Sequence, residues 1–503
     1  MAKKEAKTDE KEYRTLQFQI KKGDDLFDYC DDLCFKSKNI YNVGMFHLRQ
    51  LMTGLKKDKA LVQKLEAEVI QKVESSLSEL NDIKEREHEK KNKKRLENGK
   101  DELDFKPYEM PTAEKWFLSK NLLDGVLKLE NNVDYRAIPT QSSQGTLSLL
   151  YQDWKSYFEI NQLYIQDPSA LSGRPRLPRY AKKTARKTAI ISNQDAVIYS
   201  KGTKYLKLPK TKLTFPLDKA KLPEEEDLKQ VRIVPSNHFY LLELVFEVPK
   251  VEVKTTLETA KRIIALDLGV NNFATITNNF GQAPLIVKGG ILKNKNQWYN
   301  KHRAHFVSVL RQGKQSNEGP FTSKRLKRLD TKRHAFLKDY FHKASKQVVT
   351  YCLEHQVDTI VIGKNKGWKT DVKLQKKDKQ SFIQLPFNLF IQLLTYKAKA
   401  QGILVIETEE SYTSKASFLD RDDMPVYGEL DGDTQTFKGY RASRGRYKSY
   451  KHGFINADVN GSANILRKVF PRAFTDRDKG ILKMPQSLLV AWDLVLGGNI
   501  GLV

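Results

Sequence analysis

The chain has 503 residues, 39% of them hydrophobic, and 88 Lys and Arg set against 61 Asp and Glu leave a formal charge of +27. That is enough apolar material for two or three domains. No apolar run reaches the ~18 residues of a membrane span, and the N-terminal MAKKEAKTDEKEYR has no apolar signal region, so a soluble protein without a recognisable export signal is expected. Cys30, Cys34 and Cys352 exclude a disulfide framework and fit a reducing cytoplasm, while so large a positive excess points to a polyanionic partner, because neutralised phosphates release condensed counterions.

In chain order, YRTLQFQIKK reads as a strand and Leu26 to Leu51 as a helix. Residues 55 to 106 change character. Leu61, Leu65, Val69, Val73, Leu77 and Leu80 recur at spacings of three and four, a helical stripe that runs into the charged KEREHEKKNKKRLENGKDE. This block predicts a helical insertion, an antiparallel pair. More helix follows from 112 to 165, with Trp154, Tyr157 and Phe158 on one face. GRPRLPRYAKKTARKTAIISNQ, residues 173 to 194, cannot be a regular helix because of its prolines. Arg174, Arg176, Arg179, Tyr180, Lys182, Lys183 and Arg186 make it an extended basic arm suited to a phosphate backbone. KYLKLPK reads as a strand, and VRIVPSNHFYLLELVFEVP as a hairpin turning at Ser236 and Asn237. After the linker KVEVKTTLETAK a new domain begins at about Arg262.

There the expected order is strand 263–268, strand 273–277, a third strand near 284–288, helices about 296–312 and 323–355, strand 358–363, helix 386–400, strand 403–408, a long irregular segment and helix 457–469. Leu337, Phe341, Ala344 and Val348 mark one helical face, and Gly402 closes the helix that Pro386 starts. Three early strands followed by alternating helices and strands is the order of the RNase H-like fold.

A nuclease on such a fold needs acids on neighbouring elements to hold two Mg²⁺ about 3.5 to 4 Å apart. Asp267 ends the first strand, ahead of Gly269. Glu407, Glu409 and Glu410 stand in GILVIETEESYTSK, and Asp458 opens the last helix after Asn456, a candidate N-cap. Singly each acid has a structural reading, as a cap or a turn brace. The information lies in their three positions taken together.

In this order ALDLGVNNFAT, VDTIVIGKNKGWK, EESYTSK and INADVNGSANILRK resemble the RuvC segments of TnpB, the insertion-sequence-encoded RNA-guided nucleases related to compact type V CRISPR effectors. WKSYFEINQLYIQDP and GRPRLPRYAKK resemble the same family, so the likeness covers most of the chain outside 55–106. It implies a mixed α/β and α+β multidomain protein: residues 1–25 and 166–260 as a wedge β-barrel carrying the basic arm, 26–165 as a helical recognition domain with the insertion 55–106, 261–410 as the RuvC nuclease, 411–455 as a nucleic-acid-binding loop, and 456–503 as the last RuvC helix and tail. It also implies an endonuclease that binds guide RNA, opens double-stranded DNA beside a short flanking motif and cuts it at one RuvC site. The expected setting is the prokaryotic cytoplasm near the nucleoid, as a monomer or an asymmetric dimer on one RNA, with no membrane partner.

Two departures from the family pattern matter. Most relatives carry a catalytic Glu where this chain has Gly363, and some branches have moved it to the position of Glu410. The resemblance therefore implies Asp267, Glu410 and Asp458 as catalytic residues and Mg²⁺ ligands, with Glu409 as the rival to Glu410. Relatives also carry a zinc ribbon before the last helix. Here Ala416 stands where its first Cys would be, and no Cys follows position 352, so zinc is not expected. What remains is a loop with Tyr427, Phe437, Tyr440, Tyr447 and Tyr450 and the basic Arg441, Arg444, Arg446 and Lys448, able to lie along nucleic acid. The competing readings are a guided DNA-binding protein without nuclease activity, which Gly363 favours, and a DDE-type transposase.

Overall fold

A computed structural model of the chain describes residues 11–218, 222, 227–364, 384–425, 436–475, 478–488 and 490. They fall into two units that divide between Pro249 and Lys250. Among the described residues no helix is long and apolar enough to cross a membrane.

The first unit begins with β1 (Lys11–Lys21), α1 (Phe27–Gly54), α2 (Lys64–Glu97), α3 (Lys120–Leu129), α4 (Val133–Arg136) and α5 (Thr140–Gln166). The strands β2 (Ala189–Ser192), β3 (Val197–Lys201), β4 (Thr203–Lys207), β5 (Thr214–Pro216), β6 (Asp227–Pro235) and β7 (Phe239–Pro249) follow. They form one sheet in the order β1-β7-β6-β2 and another in the order β3-β4-β5. The hairpin of β6 and β7 turns at the expected place, with Pro235 paired to Tyr240 and the Ser236 amide donating to the Phe239 carbonyl. Trp154 of α5 is fully buried, its ring 5.4 Å from Trp116 and 5.6 Å from Phe158.

The helix pair expected over 55–106 is corrected. Its stripe is real, since Val69, Val73 and Leu80 are buried, but Leu61 and Leu65 are exposed and α2 is one helix of 34 residues. The chain returns along it without a second helix, because Pro107 and Pro111 remove backbone donors where a helix would need them.

The second unit holds β8 (Ile263–Leu268), β9 (Asn272–Asn278), β10 (Leu285–Lys288), α6 (Gly290–Leu310), α7 (Lys324–Glu354), β11 (Thr359–Gly363), α8 (Phe387–Lys399) and β12 (Leu404–Thr408). These match the expected elements, except that α6 begins ahead of the expected start. The sheet runs β12-β11-β8-β9-β10-β16, the edge strand β16 (Gln486–Leu488) pairing parallel to β10. Strands β8, β9 and β10 are antiparallel neighbours, whereas β11 and β12 run parallel to β8. Asp358 accepts the Lys261 and Arg262 amides where the linker meets β8, and the second unit runs from Lys250, so it includes the linker.

The two-residue period of β8 sorts its side chains. Ile264, Leu266 and Leu268 share a core with α7 and α8, where Phe273 stacks on Phe341 at 5.2 Å and meets Phe390 edge-on at 4.8 Å. Ile263 and Ala265 face the other way, against Ile465 and Leu466 of α9 (Ala457–Val469). Asp267 is the next residue in that second series.

The segment expected to be irregular contains a small antiparallel sheet of β13 (Tyr440–Ser443), β14 (Arg446–Ser449) and β15 (Gly453–Asn456). Tyr427 lies outside the described residues. The Asp420 carboxylate joins this sheet to the turn before it, accepting the Ser417 hydroxyl at 2.6 Å, the Ser449 hydroxyl and Tyr450 amide at 2.8 Å, and the Lys451 amide at 3.1 Å. Burial pushes the Asp420 pKa up, but these four donors outweigh it and hold the group at about 2. The buried Tyr447 donates to the Lys415 carbonyl, and Asn460 and Asn464 of α9 donate to the Ala416 carbonyl.

Phe273→Ala is expected to cost about 3 to 5 kcal/mol, read as an earlier denaturant transition of the second unit in RNA-free protein. Asp420→Ala, which leaves four donors to find new partners, should lower the same transition by about 2 kcal/mol near neutral pH. Because the folded pKa lies below the unfolded value of about 4, this contribution is complete above that value and disappears as pH falls through it toward 2. In Mg²⁺-containing buffer a zinc-selective chelator should leave this transition unmoved, and elemental analysis should find less than one zinc per chain.

Candidate acidic centre in the second unit

The α9 face of the large sheet carries the acids. On α9, Asp458, Gly461, Ser462 and Ile465 follow one another at three, four and seven residues, which is one helical stripe. That stripe faces the sheet: the Ser462 hydroxyl donates to the Ala265 carbonyl at 2.9 Å and lies 2.9 Å from that of Thr277. Gly461 lies over Asp267 so closely that a Cβ there would stand 2.7 Å from the Asp267 Oδ2. On β11 the same period puts Val361 and Gly363 on this face. A Cβ on Gly363 would come within 2.8 Å of the Glu410 Oε2 and 2.5 Å of the Ile465 Cδ1. Glu410 thus reaches across the end of β11 and fills the space a side chain at 363 would occupy.

Its neighbours are engaged elsewhere. Glu407 pairs with Lys364 at 2.6 Å and Glu409 with Lys468 at 2.6 Å. Beyond the end of β12 at Thr408, Glu409 turns to Lys468 while Glu410 turns to Gly363.

Asp458 lies in the first turn of α9, and Asn456 caps the helix by accepting the Asp458 and Val459 amides. Its carboxylate accepts from the Asn272 amide at 2.6 Å and lies 3.6 Å from the Arg441 guanidinium. Asn272 stands at the start of β9 and was not singled out from sequence; its signal was its place in ALDLGVNNFAT. Gly269 admits a close approach of backbone, since a Cβ there would lie 2.7 Å from the Asn272 carbonyl oxygen.

The electrostatics tie the three acids together. Burial raises the Asp267 pKa well above its ordinary value, the Glu410 and Asp458 carboxylates raise it further, and only Arg441 opposes them. The carboxylates of Glu410 and Asp458 beside that of Asp267 offer hard oxygen donors, the kind a divalent cation such as Mg²⁺ prefers. Among the described residues no three His, Cys, Asp or Glu side chains are drawn tightly enough together to hold a metal ion. Asp458 is held by Asn272 and Arg441.

The expected nucleic-acid-binding residues divide between the units. Arg174, Arg176, Arg179, Lys182 and Lys183 are exposed on the extended segment before β2 in the first unit. Ala181 is fixed there by two bonds to the Asn42 side chain, and Tyr180 lies under the Arg49 guanidinium at 5.1 Å. Arg186 is held by both Asp31 oxygens at 2.9 and 2.7 Å, so its charge serves the fold. In the second unit Arg441 reaches Asp458, and Arg446 covers the Phe454 ring at 4.1 Å. The Arg444 carbonyl accepts from Arg441 at 2.8 Å.

Comparison with known proteins adds two family models. Residues 246–369 match OrfB_IS605, described as a probable transposase, and residues 387–465 match the Cas12f1-like TNB domain. No curated protein matches the chain at the level applied. Among solved structures, a Cas12f1–sgRNA–target DNA complex is 14% identical over 91% of this chain and 99% of its own, with a TM-score of 0.46. Alicyclobacillus acidoterrestris C2c1 with single-guide RNA is 9% identical over 86% of this chain and 70% of its own, with a TM-score of 0.33. The two family matches follow one another along the part of the chain that carries Asp267, Glu410 and Asp458, and there the chain is similar to the OrfB_IS605 proteins and to the Cas12f1-like TNB domain.

Proposed function

We propose that the chain is an RNA-guided DNA endonuclease whose single RuvC-type site, on an RNase H-like sheet, uses divalent cations, two Mg²⁺ ions, held by Asp267, Glu410 and Asp458. The observation that carries this reading is the seating of Glu410 against the bare backbone of Gly363, beside Asp267. A carboxylate is thereby supplied at the β11 end although β11 has no acid of its own. The family matches support the same kind of activity.

Asp267, Glu410 and Asp458 would hold the cations, whose chemistry there would be to polarise a phosphodiester and lower the pKa of an attacking water. The chain's own residues do the remainder. Asp267 presents its oxygens from β8 and Glu410 from the segment just after β12. Asn272 fixes the rotamer of Asp458 by donating to one oxygen, leaving the other facing Arg441. Arg441 is then placed to exchange that carboxylate for a phosphate oxygen of the strand, for which a guanidinium is well shaped. The β13–β15 sheet presents Arg441, Arg444 and Arg446 to nucleic acid. In the first unit the two sheets serve as the wedge, the helices as the recognition domain, and the segment 173–188 as a phosphate-binding arm for guide RNA. Base pairing reads the target while protein reads a short duplex motif.

Two experiments test the site. Asp267→Ala, Glu410→Ala and Asp458→Ala should each lower Mg²⁺-dependent DNA cutting by about a thousandfold, roughly 4 kcal/mol of barrier, while RNA binding persists. Glu409→Ala should keep most activity. A wild-type protein that loads RNA and target yet cuts nothing would establish the guided binder without nuclease activity instead.

The second is a transplantation. Gly363→Glu alone should fail, because two carboxylates then compete for one space. Gly363→Glu combined with Glu410→Ala should recover cutting to within about tenfold of wild type, the scale of a slightly misplaced ligand. No recovery in the folded double variant, even after Ile465→Ala clears the second contact at 363, would remove Glu410 from the metal site.

A further inference from the structure

Beyond Leu80 no residue of α2 is buried, yet the helix continues to Glu97. Residues 81–97 form about 25 Å of helix clear of the core. A helix this polar is marginal alone. It is braced by the returning chain: the Asn81 side chain makes two bonds to the Tyr108 backbone, at 3.0 and 2.7 Å, and Asn92 makes two to Leu103, both at 3.0 Å. Arg95 donates to the Asp101 carbonyl at 2.8 Å, Lys84 to the Lys106 carbonyl, and His88 meets the Phe105 ring at 5.4 Å. The result is a stiff arm.

Charge is sorted around that arm. Glu85, Glu89, Lys93 and Glu97 recur every fourth residue along one side. Another side carries Lys90, Lys91, Lys94 and Arg95, which with Lys100 line a cleft of about 440 Å³. Glu87 is the one acid among its lining residues. Among the described residues none of Lys90, Lys91, Lys94 or Lys100 makes an ion pair. Simple solvation of a charged helix would explain neither the backbone clasp nor the unbalanced cleft.

Resting on the function proposed above, we infer that this cleft is a docking site for the sugar-phosphate backbone of the guide RNA. No aromatic ring lines it, so it offers no surface for stacking a base, and lysines recognise phosphate as a point charge. The stripe from Lys90 to Arg95 has room for about two or three phosphates of one strand. A rigid, sequence-blind support suits the polymer that stays bound throughout, and folded RNA is recognised largely by shape and backbone.

The test compares wild type with Lys90→Ala/Lys91→Ala/Lys94→Ala, all exposed positions, using the structured RNA that co-purifies with the protein. The triple variant should bind that RNA about tenfold more weakly near 0.15 M salt, and its log–log salt slope should fall by about 2. Glu85→Ala/Glu89→Ala on the opposite side should leave the slope unchanged. Asn92→Ala, which opens the clasp without touching the lysines, should weaken binding less, with little change in slope. Unchanged affinity and slope in the triple variant, with wild type binding RNA steeply, would overturn this inference alone. Normal RNA binding with weakened capture of duplex DNA by the loaded protein would overturn it in favour of target DNA. A wild type that binds no structured RNA would overturn the proposed function as well.

Discussion

The second unit depends on packing three carboxylates between elements that must touch. Like charges held this close repel, and Asp267 and Glu410 fit only where the backbone beside them leaves room. Gly461 and Gly363 supply that room, one beneath α9 and one at the end of β11. With a side chain at either position, α9 would have to lift from the sheet or an acid would have to turn away. The small residues and the acids are therefore one device, and the rest of the sheet, with its separate aromatic core on the far face, holds it in register.

The hairpin sheet beside this centre is joined to the unit without thiolates. Asp420 draws four donors from two segments, Tyr447 reaches back to Lys415, and Asn460 and Asn464 hold the intervening turn. An anion that collects hydroxyl and amide donors does here what a cation that collects thiolates does in a zinc ribbon: it ties distant backbone together through several directed bonds. Because β13 carries Arg441, this network also sets where the guanidinium meets Asp458.

Positive charge serves different purposes along the chain. Arg186 is consumed by Asp31, Lys468 by Glu409 and Lys364 by Glu407, so these cations stabilise the fold or hold other acids aside. Others, on the extended segment before β2 and on the α2 arm, face solvent in groups. Net charge announces a polyanionic partner but does not say which cations meet it.

Sequence by itself determined the strand and helix order from Ile263 to Thr408, because apolar periods of two and of three or four leave little ambiguity when Gly and Pro punctuate them. Positions at element ends, which are local properties, also singled out Asp267, Asp458 and the run of Glu407, Glu409 and Glu410, among which the family resemblance favoured Glu410. It missed the β13–β15 sheet, whose short, exposed strands lack a clear alternation. It misread the return along α2, which is held by side-chain amides rather than by an apolar face. Only tertiary structure decided which of three neighbouring glutamates meets Asp267. That choice is made by the space in front of Gly363 and by the lysines that occupy Glu407 and Glu409, contacts between residues far apart in the chain.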